Sequence, residues 1–252
     1  MKISFFNTLV FTFAIFVSTT LSAQMSGIVT YQKVVDFGIE PNGNERWDNF
    51  IKDLPKMGTY VYTLSFNEAE SLFQEDASQR EETSPLLQRA LGGAARFNPP
   101  KIKVLQIYQN LDKAEKLEQV EFMTRNFVVA GKLEASSWKI TAKKKKVLDY
   151  VCVGADMQVG DETITAWFTS EIPVAFGPDG YHGLPGLILG IEKNGDMLVL
   201  ASGIELSEPK RLEIPSNGQK INRSAFDETV EEKIKEWEAN GTTAGSDKRG
   251  GN

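Results

Sequence analysis

The chain of 252 residues carries 28 Lys and Arg against 34 Asp and Glu, a formal net charge of −6, with 41% hydrophobic residues. That content is enough to bury one sizeable core, and the acidic balance argues against a general nucleic-acid binder, which needs concentrated Lys and Arg facing phosphate. A single cysteine, Cys152, and a single histidine, His182, exclude an intrachain disulfide and leave no His/Cys cluster with metal-ligand spacing.

Lys2 precedes an apolar stretch from Ile3 to Leu21, diluted by Asn7, Thr8, Thr12 and Ser18, and Leu21-Ser22-Ala23 supplies small residues before Gln24. This is the order of a cleavable export signal, so residues 1–23 are expected to be a signal peptide removed near Ala23. A membrane anchor would need about 20 strongly apolar residues with basic flanks. No Lys or Arg follows until Lys33, and no Cys stands at position 24 to take a lipid. The later apolar run at 187–191 has core-strand length, so no transmembrane anchor is expected after cleavage.

Residues 28–37 and 59–66 are rich in Val, Tyr, Thr and Phe, the composition of strands on a half-buried pleated surface. The chain then turns polar, and Ser84-Pro85-Leu86-Leu87 opens a short helix near 85–91. Ser84 is its cap, Pro85 lies in its first turn and Gly92-Gly93 is its stop. This helix sits in a surface insertion over 74–100. Residues 103–110, 117–124 and 126–129 read as further strands, and Gly131 turns the chain toward Trp138-Lys139-Ile140-Thr141. The four lysines 143–146 are read as a solvated hairpin turn rather than a grip on an anionic polymer.

Residues 147–153 and 162–169 alternate about a turn at Gly160-Asp161; Ile164, Ala166 and Phe168 share one face, and Thr165, Trp167 and Thr169 the other. Residues 187–193 and 197–200 flank Asn194-Gly195, which suits the positive φ values of a type I′ hairpin turn. The period then changes. Phe226, Val230, Ile234 and Trp237 fall on one helix face, with Ser224 as cap, predicting an amphipathic helix near 225–239. Residues 241–252 are small and polar, and a disordered tail is expected there.

Catalysis needs a nucleophile beside a base, a metal cluster or a tuned carboxylate pair. His182 has no nucleophile motif near it, and Cys152 reads as a small buried hydrophobe because no His or Lys stands immediately beside it. No catalytic residue, metal or cofactor is assigned.

The densest signal lies over 167–191, where three prolines and five glycines demand particular backbone angles and Pro185-Gly186 suits the centre of a type II turn. Functionally the segment reads as a rigid lip over an apolar cavity. Tyr181 and His182 are its polar handles and Leu184 its wedge, with Trp167, Pro173 and Pro185 completing the candidate binding loop. The structural alternative, favoured by the low titratable content, is a corner joining two core strands.

Gly183-Leu184-Pro185-Gly186-Leu187-Ile188 resembles the signature for which the GLPGLI family of exported bacterial proteins is named. Ala166-Trp167-Phe168-Thr169, Glu171-Ile172-Pro173, Gly177-Pro178, Trp138-Lys139-Ile140-Thr141, Tyr150 with Cys152, and Ser71-Leu72-Phe73 extend the resemblance over most of residues 28–237. It implies a secreted or periplasmic protein of a Gram-negative envelope, with no catalytic residue or cofactor attached to the family. The insertion over 74–100 and the polar tail have no counterpart in it.

The expected fold is mainly β (α+β): a curved antiparallel sheet or half-open barrel with the two helices named, forming one domain over 24–240. The expected role is a non-enzymatic envelope protein that binds an apolar or peptide-like ligand, or an outer-membrane protein, and no nucleic acid. The alternatives are a hydrolase using His182 or a carboxylate pair, and a structural accessory subunit of an outer-membrane complex.

Overall fold

The computed structural model describes residues 25–80, 82–208 and 211–246. The signal peptide expected over 1–23 and the end of the polar tail, 247–252, lie outside the described residues. The strands are β1 (Ser26–Asp36), β2 (Met57–Phe66), β3 (Glu70–Glu75), β4 (Lys103–Asn110), β5 (Glu115–Phe122), β6 (Arg125–Lys132), β7 (Lys139–Val147), β8 (Tyr150–Val159), β9 (Glu162–Thr169), β10 (Leu187–Lys193), β11 (Asp196–Ser207) and β12 (Gln219–Asn222). They form one open, curved sheet in the order β12-β6-β5-β4-β3-β2-β1-β11-β10-β9-β8-β7. The mainly β expectation holds with one change: the sheet is mixed, because β12 runs parallel to β6, with Gln219 opposite Phe127.

Alternation sets the inner face. Val29 and Tyr31 of β1 stand opposite Leu64 and Tyr62 of β2, and Phe73 of β3 stands between Leu64 and Ile107 of β4. These residues join Val199 and Ala201 of β11 in the main core. The strand β3 is absent from the sequence expectations because its short acidic segment offers only Leu72-Phe73 as an apolar centre; its neighbours on both sides supply the rest.

The lysine run is not a turn. Lys143, Lys144, Lys145 and Lys146 lie within β7, the outermost strand, and the turn follows at Leu148-Asp149. An edge strand exposes unpaired N–H and C=O groups to strand addition, and a row of lysines opposes it. Lys145 also pairs with Glu192 and lies 4.7 Å over the Trp167 ring. Gly131 likewise does not turn the chain, because β6 runs through it to Lys132.

Helix α1 (Glu45–Ile51), not anticipated, is capped by Asn44, whose side chain accepts from the N–H groups of Arg46 and Trp47. Helix α2 (Pro85–Phe97) starts at Ser84 as expected, the hydroxyl accepting from the Leu87 N–H at 3.2 Å. It does not stop at Gly92-Gly93, because Gly93 packs on the Trp47 ring, where an added Cβ would come within 2.5 Å. Together α1 and α2 bury Ile39, Ile51, Leu87, Ala90 and Ala94 in a satellite core.

Helix α3 (Arg223–Ser246) begins earlier and runs longer than the 225–239 expected. Its cap is Asn222 rather than Ser224, the Asn222 Oδ1 accepting from the Ala225 N–H at 2.9 Å. Phe226 is fully buried against Phe122 and Phe127, a contact that contributes roughly 2–3 kcal/mol. Val230, half-buried, packs beside it, while Ile234 and Trp237, also half-buried, are not part of that cluster, so the first turns do the docking. Among the described residues no helix is long and apolar enough to cross a membrane.

Candidate functional site

The connection from β9 to β10, residues 170–186, folds back into the sheet. Ile172, Val174, Phe176 and Leu184 are each at most 2% exposed and belong to the same core as Val29, Tyr31, Leu64 and Phe73. Backbone hydrogen bonds close the segment on itself and on β10: Gly183 N–H to Ala175 O at 3.0 Å, Leu187 N–H to Ile172 O at 2.9 Å, and Ile188 N–H to Phe176 O at 2.9 Å. The segment is therefore a plug that fills the space beneath the signature, where the sequence suggested a lip over an apolar cavity. The apolar side chains that would have lined such a cavity are spent on packing.

Two glycines are required by close approach. A Cβ on Gly186 would lie 2.1 Å from the Thr169 carbonyl oxygen, and one on Gly177 would lie 2.6 Å from Ile188 Cβ. The Gly186 N–H is bonded to the Leu184 carbonyl at 2.8 Å, so Pro185 sits at the centre of a three-residue turn instead of a type II turn.

The tip of the plug, residues 178–182, is pinned to three other parts of the chain. Lys33 of β1 holds the Asp179 carboxylate at 2.6 Å, and Gln109 of β4 donates to the Gly180 carbonyl at 2.7 Å. Trp138, just before β7, donates its indole N–H to the His182 carbonyl at 2.8 Å. The Tyr31 hydroxyl donates to the Ile188 carbonyl at 2.6 Å, beside the irregularity that shifts the β9–β10 register. Burial pushes that phenol well above its usual range.

The candidate residues scatter around this plug. Pro173 and Pro185 are exposed at its surface, and Leu184 is buried inside it. Tyr181 is half-buried against Trp138, ring centroids 5.9 Å apart, and its hydroxyl pKa is raised by burial and by Asp179. Trp167 projects from the face of β9 opposite Phe168, 5% exposed, with its indole N–H unpartnered. His182 is half-buried, its Nε2 2.9 Å from the Glu134 carbonyl and its Nδ1 3.1 Å from the Gly180 carbonyl and 3.3 Å from Gln109 Nε2. With a proton on Nε2 the ring donates to the Glu134 carbonyl, and both ring nitrogens lie within hydrogen-bond distance of protein groups. Cys152 is fully buried, and burial pushes its thiol up to about 11. Among the described residues no group of His, Cys, Asp and Glu is arranged to hold a metal.

At the outer rim of the plug lies a cleft of about 460 Å³, lined by Lys116 and Glu118 of β5, Lys132 of β6, Glu134, Gly180, His182, and Arg223 at the start of α3. Glu118 accepts from Lys116 at 2.8 Å and also pairs with Arg223. Of these residues the sequence singled out only His182. The others come together through two pairings: Lys116 opposite Gly131 in the β5–β6 ladder, and parallel β12, which delivers Arg223 beside β6.

Residues 156–190, which hold the end of β8, β9, the plug and the start of β10, match a family model described as a protein of unknown function, Porph_ging. The match is confined to the segment that packs the plug. No curated protein matches the chain. Two solved structures of PNGF-II, in space groups P21 and C2, share the fold over 82% of this chain with a TM-score of 0.53 and 16% identity. The chain spans about a third of PNGF-II, 33% and 32% in the two structures.

Proposed function

We propose that this chain is an exported, non-enzymatic binding protein of the bacterial envelope, and that its ligand sits in the rim cleft beside His182 rather than beneath the signature loop. The observation that carries this reading is the cleft itself, where plug, sheet and helix meet around a volume within the range of small-molecule sites. The non-enzymatic part is supported by the use of the two candidate reacting groups in packing: both His182 ring nitrogens have protein partners, and the Cys152 thiol is buried and held neutral. Likeness to one third of PNGF-II supports reading the fold as a unit also used within a larger chain.

Soaking crystals of the mature protein with a panel of small fragments tests the site. Electron density for fragments in the cleft supports the reading, and fragments found only elsewhere overturn it. A turnover abolished by His182→Ala would overturn the non-enzymatic part. Export rests on residues 1–23, and N-terminal sequencing of protein from its own envelope should read Gln24 first. The filled interior of the sheet also favours a second reading, a structural accessory subunit, for which stable co-purification with an outer-membrane barrel is the test.

A further inference from the structure

The rim cleft is lined by three cations and two carboxylates. Lys116, Lys132 and Arg223 bring three cations to it, in a chain whose overall charge is negative. Against them stand Glu118, already shared between Lys116 and Arg223, and Glu134, exposed at the rim with its backbone carbonyl engaged by His182. Asp227 holds the other side of Arg223 at 3.3 Å. Lys132 is exposed and has no ion-pair partner among the described residues. With Glu118 and Asp227 committed to Lys116 and Arg223, Lys132 is the cation at the cleft left without an ion pair among the described residues, and it is placed to engage an incoming anion.

Resting on the reading of this cleft as the binding site, we propose that it takes a small oxyanionic ligand, whose carboxylate or phosphate group is held jointly by Lys116, Lys132 and Arg223. Arg223 supplies a planar fork suited to two oxygens, and the two lysines supply point charges from the sheet. The first turn of α3 adds the partial positive charge of its N–H groups, one of which is taken by Asn222. Burial and the nearby Arg223 both lower the Lys116 ammonium pKa, although Glu118 lies 2.8 Å away. An oxyanion at this point offsets both effects.

Titration of the full mature chain with citrate and with inorganic phosphate, followed by amide chemical shifts, tests this. The expected result is saturable binding of at least one of the two anions, with shifts at residues 116–118, 131–134, 180–182 and 223. Citrate alone identifies a carboxylate ligand, phosphate alone a phosphorylated one, and either supports the proposal. Lys132→Gln, at an exposed position whose loss leaves the fold intact, should weaken binding about three- to tenfold, and Lys116→Gln at least about tenfold. Absence of saturable binding by both anions, or binding unaltered in Lys132→Gln and Lys116→Gln, overturns the proposal. Neutral fragments found in the cleft alongside such a result would leave the binding-site reading standing, so the two failures are distinguishable.

Discussion

The Lys33 ammonium lies 2.6 Å from the Asp179 carboxylate, tying the first strand of the sheet to a plug tip 146 residues further along the chain. Asp179 is held at φ +53°, a left-handed conformation that costs a residue with a Cβ roughly 1–2 kcal/mol. Both side chains of the pair are about a quarter exposed, so the ion pair contributes on the order of 1 kcal/mol. Asp179→Ala loses the pair and keeps the strained backbone, whereas Asp179→Gly loses the pair and relieves it. Urea midpoints should therefore place the glycine variant level with or slightly above wild type, and the alanine variant below wild type by about 1 kcal/mol. An alanine variant as stable as the glycine variant would show that the backbone angle carries no cost.

What was legible in the sequence was what short stretches determine. Asn194-Gly195 sits at φ +52° and +95°, as the dipeptide requires, and Ser84 caps α2 through its own hydroxyl. The density of Pro and Gly over 167–191 marked the plug, and those residues do set its path. The content of the interior was not legible, because Ile172, Val174 and Phe176 read equally well as lining a cavity or filling it. Nor was the rim cleft: Arg223 joins Lys116, Glu118 and Lys132 of the β5–β6 ladder only when β12 returns parallel to β6, a pairing made by a short polar strand with little pattern of its own. The lysine run of β7 misled for a physical reason. Charge clusters mark exposure, and an edge strand is as exposed as a turn.

If the signature segment is a packed plug, its variants should report on stability in proportion to burial. Leu184→Ala, at a position 2% exposed, is expected to cost about 2–5 kcal/mol. Gly186→Ala, which would drive a Cβ to 2.1 Å from the Thr169 carbonyl, should cost about 3 kcal/mol or more. Pro185→Ala, on the exposed surface between them, should change stability by less than about 1 kcal/mol. Denaturant unfolding of the three variants checks the order, and a nearly neutral Leu184→Ala would mean that the plug is loosely seated.

Alkaline pH should destabilise the fold in a defined window. Burial raises the Cys152 thiol to about 11 and, with help from Glu75 and Asp179, the Tyr62 phenol to about 12. Tyr108 is also raised to about 12, by burial and its hydrogen bond to Glu70. In the unfolded chain these groups ionise near their ordinary values of about 9 for the thiol and about 10 for the phenols. Between those values and the folded ones the native state holds more protons than the unfolded state, so unfolding becomes easier as pH rises. The stabilising contribution is complete below about pH 9 and is lost progressively toward pH 12. Thermal midpoints across this range should fall, and Cys152→Ala should flatten the early part of the decline. A midpoint constant from pH 9 to 11 would show that the thiol is not held neutral by the fold.

The two adjacent glycines of α2 should respond in opposite directions to the same substitution. Alanine is preferred to glycine in a helix interior by about 1 kcal/mol, so propensity alone predicts a gain at both positions. At Gly92 an added Cβ meets nothing within 4 Å, and Gly92→Ala should realise that gain. At Gly93 the Cβ would press to 2.5 Å from the Trp47 ring, forcing α1 and α2 apart, and Gly93→Ala should be destabilising by about 1–3 kcal/mol. The loss falls on the satellite core of Ile39, Ile51, Leu87, Ala90 and Ala94, which is separate from the core beneath the sheet. Hydrogen exchange should therefore accelerate in α1 and α2 while the amides of β1, β10 and β11 keep their protection, since local units open independently when few contacts join them. Uniform acceleration across the sheet would instead show that the helical insertion and the sheet unfold as one unit.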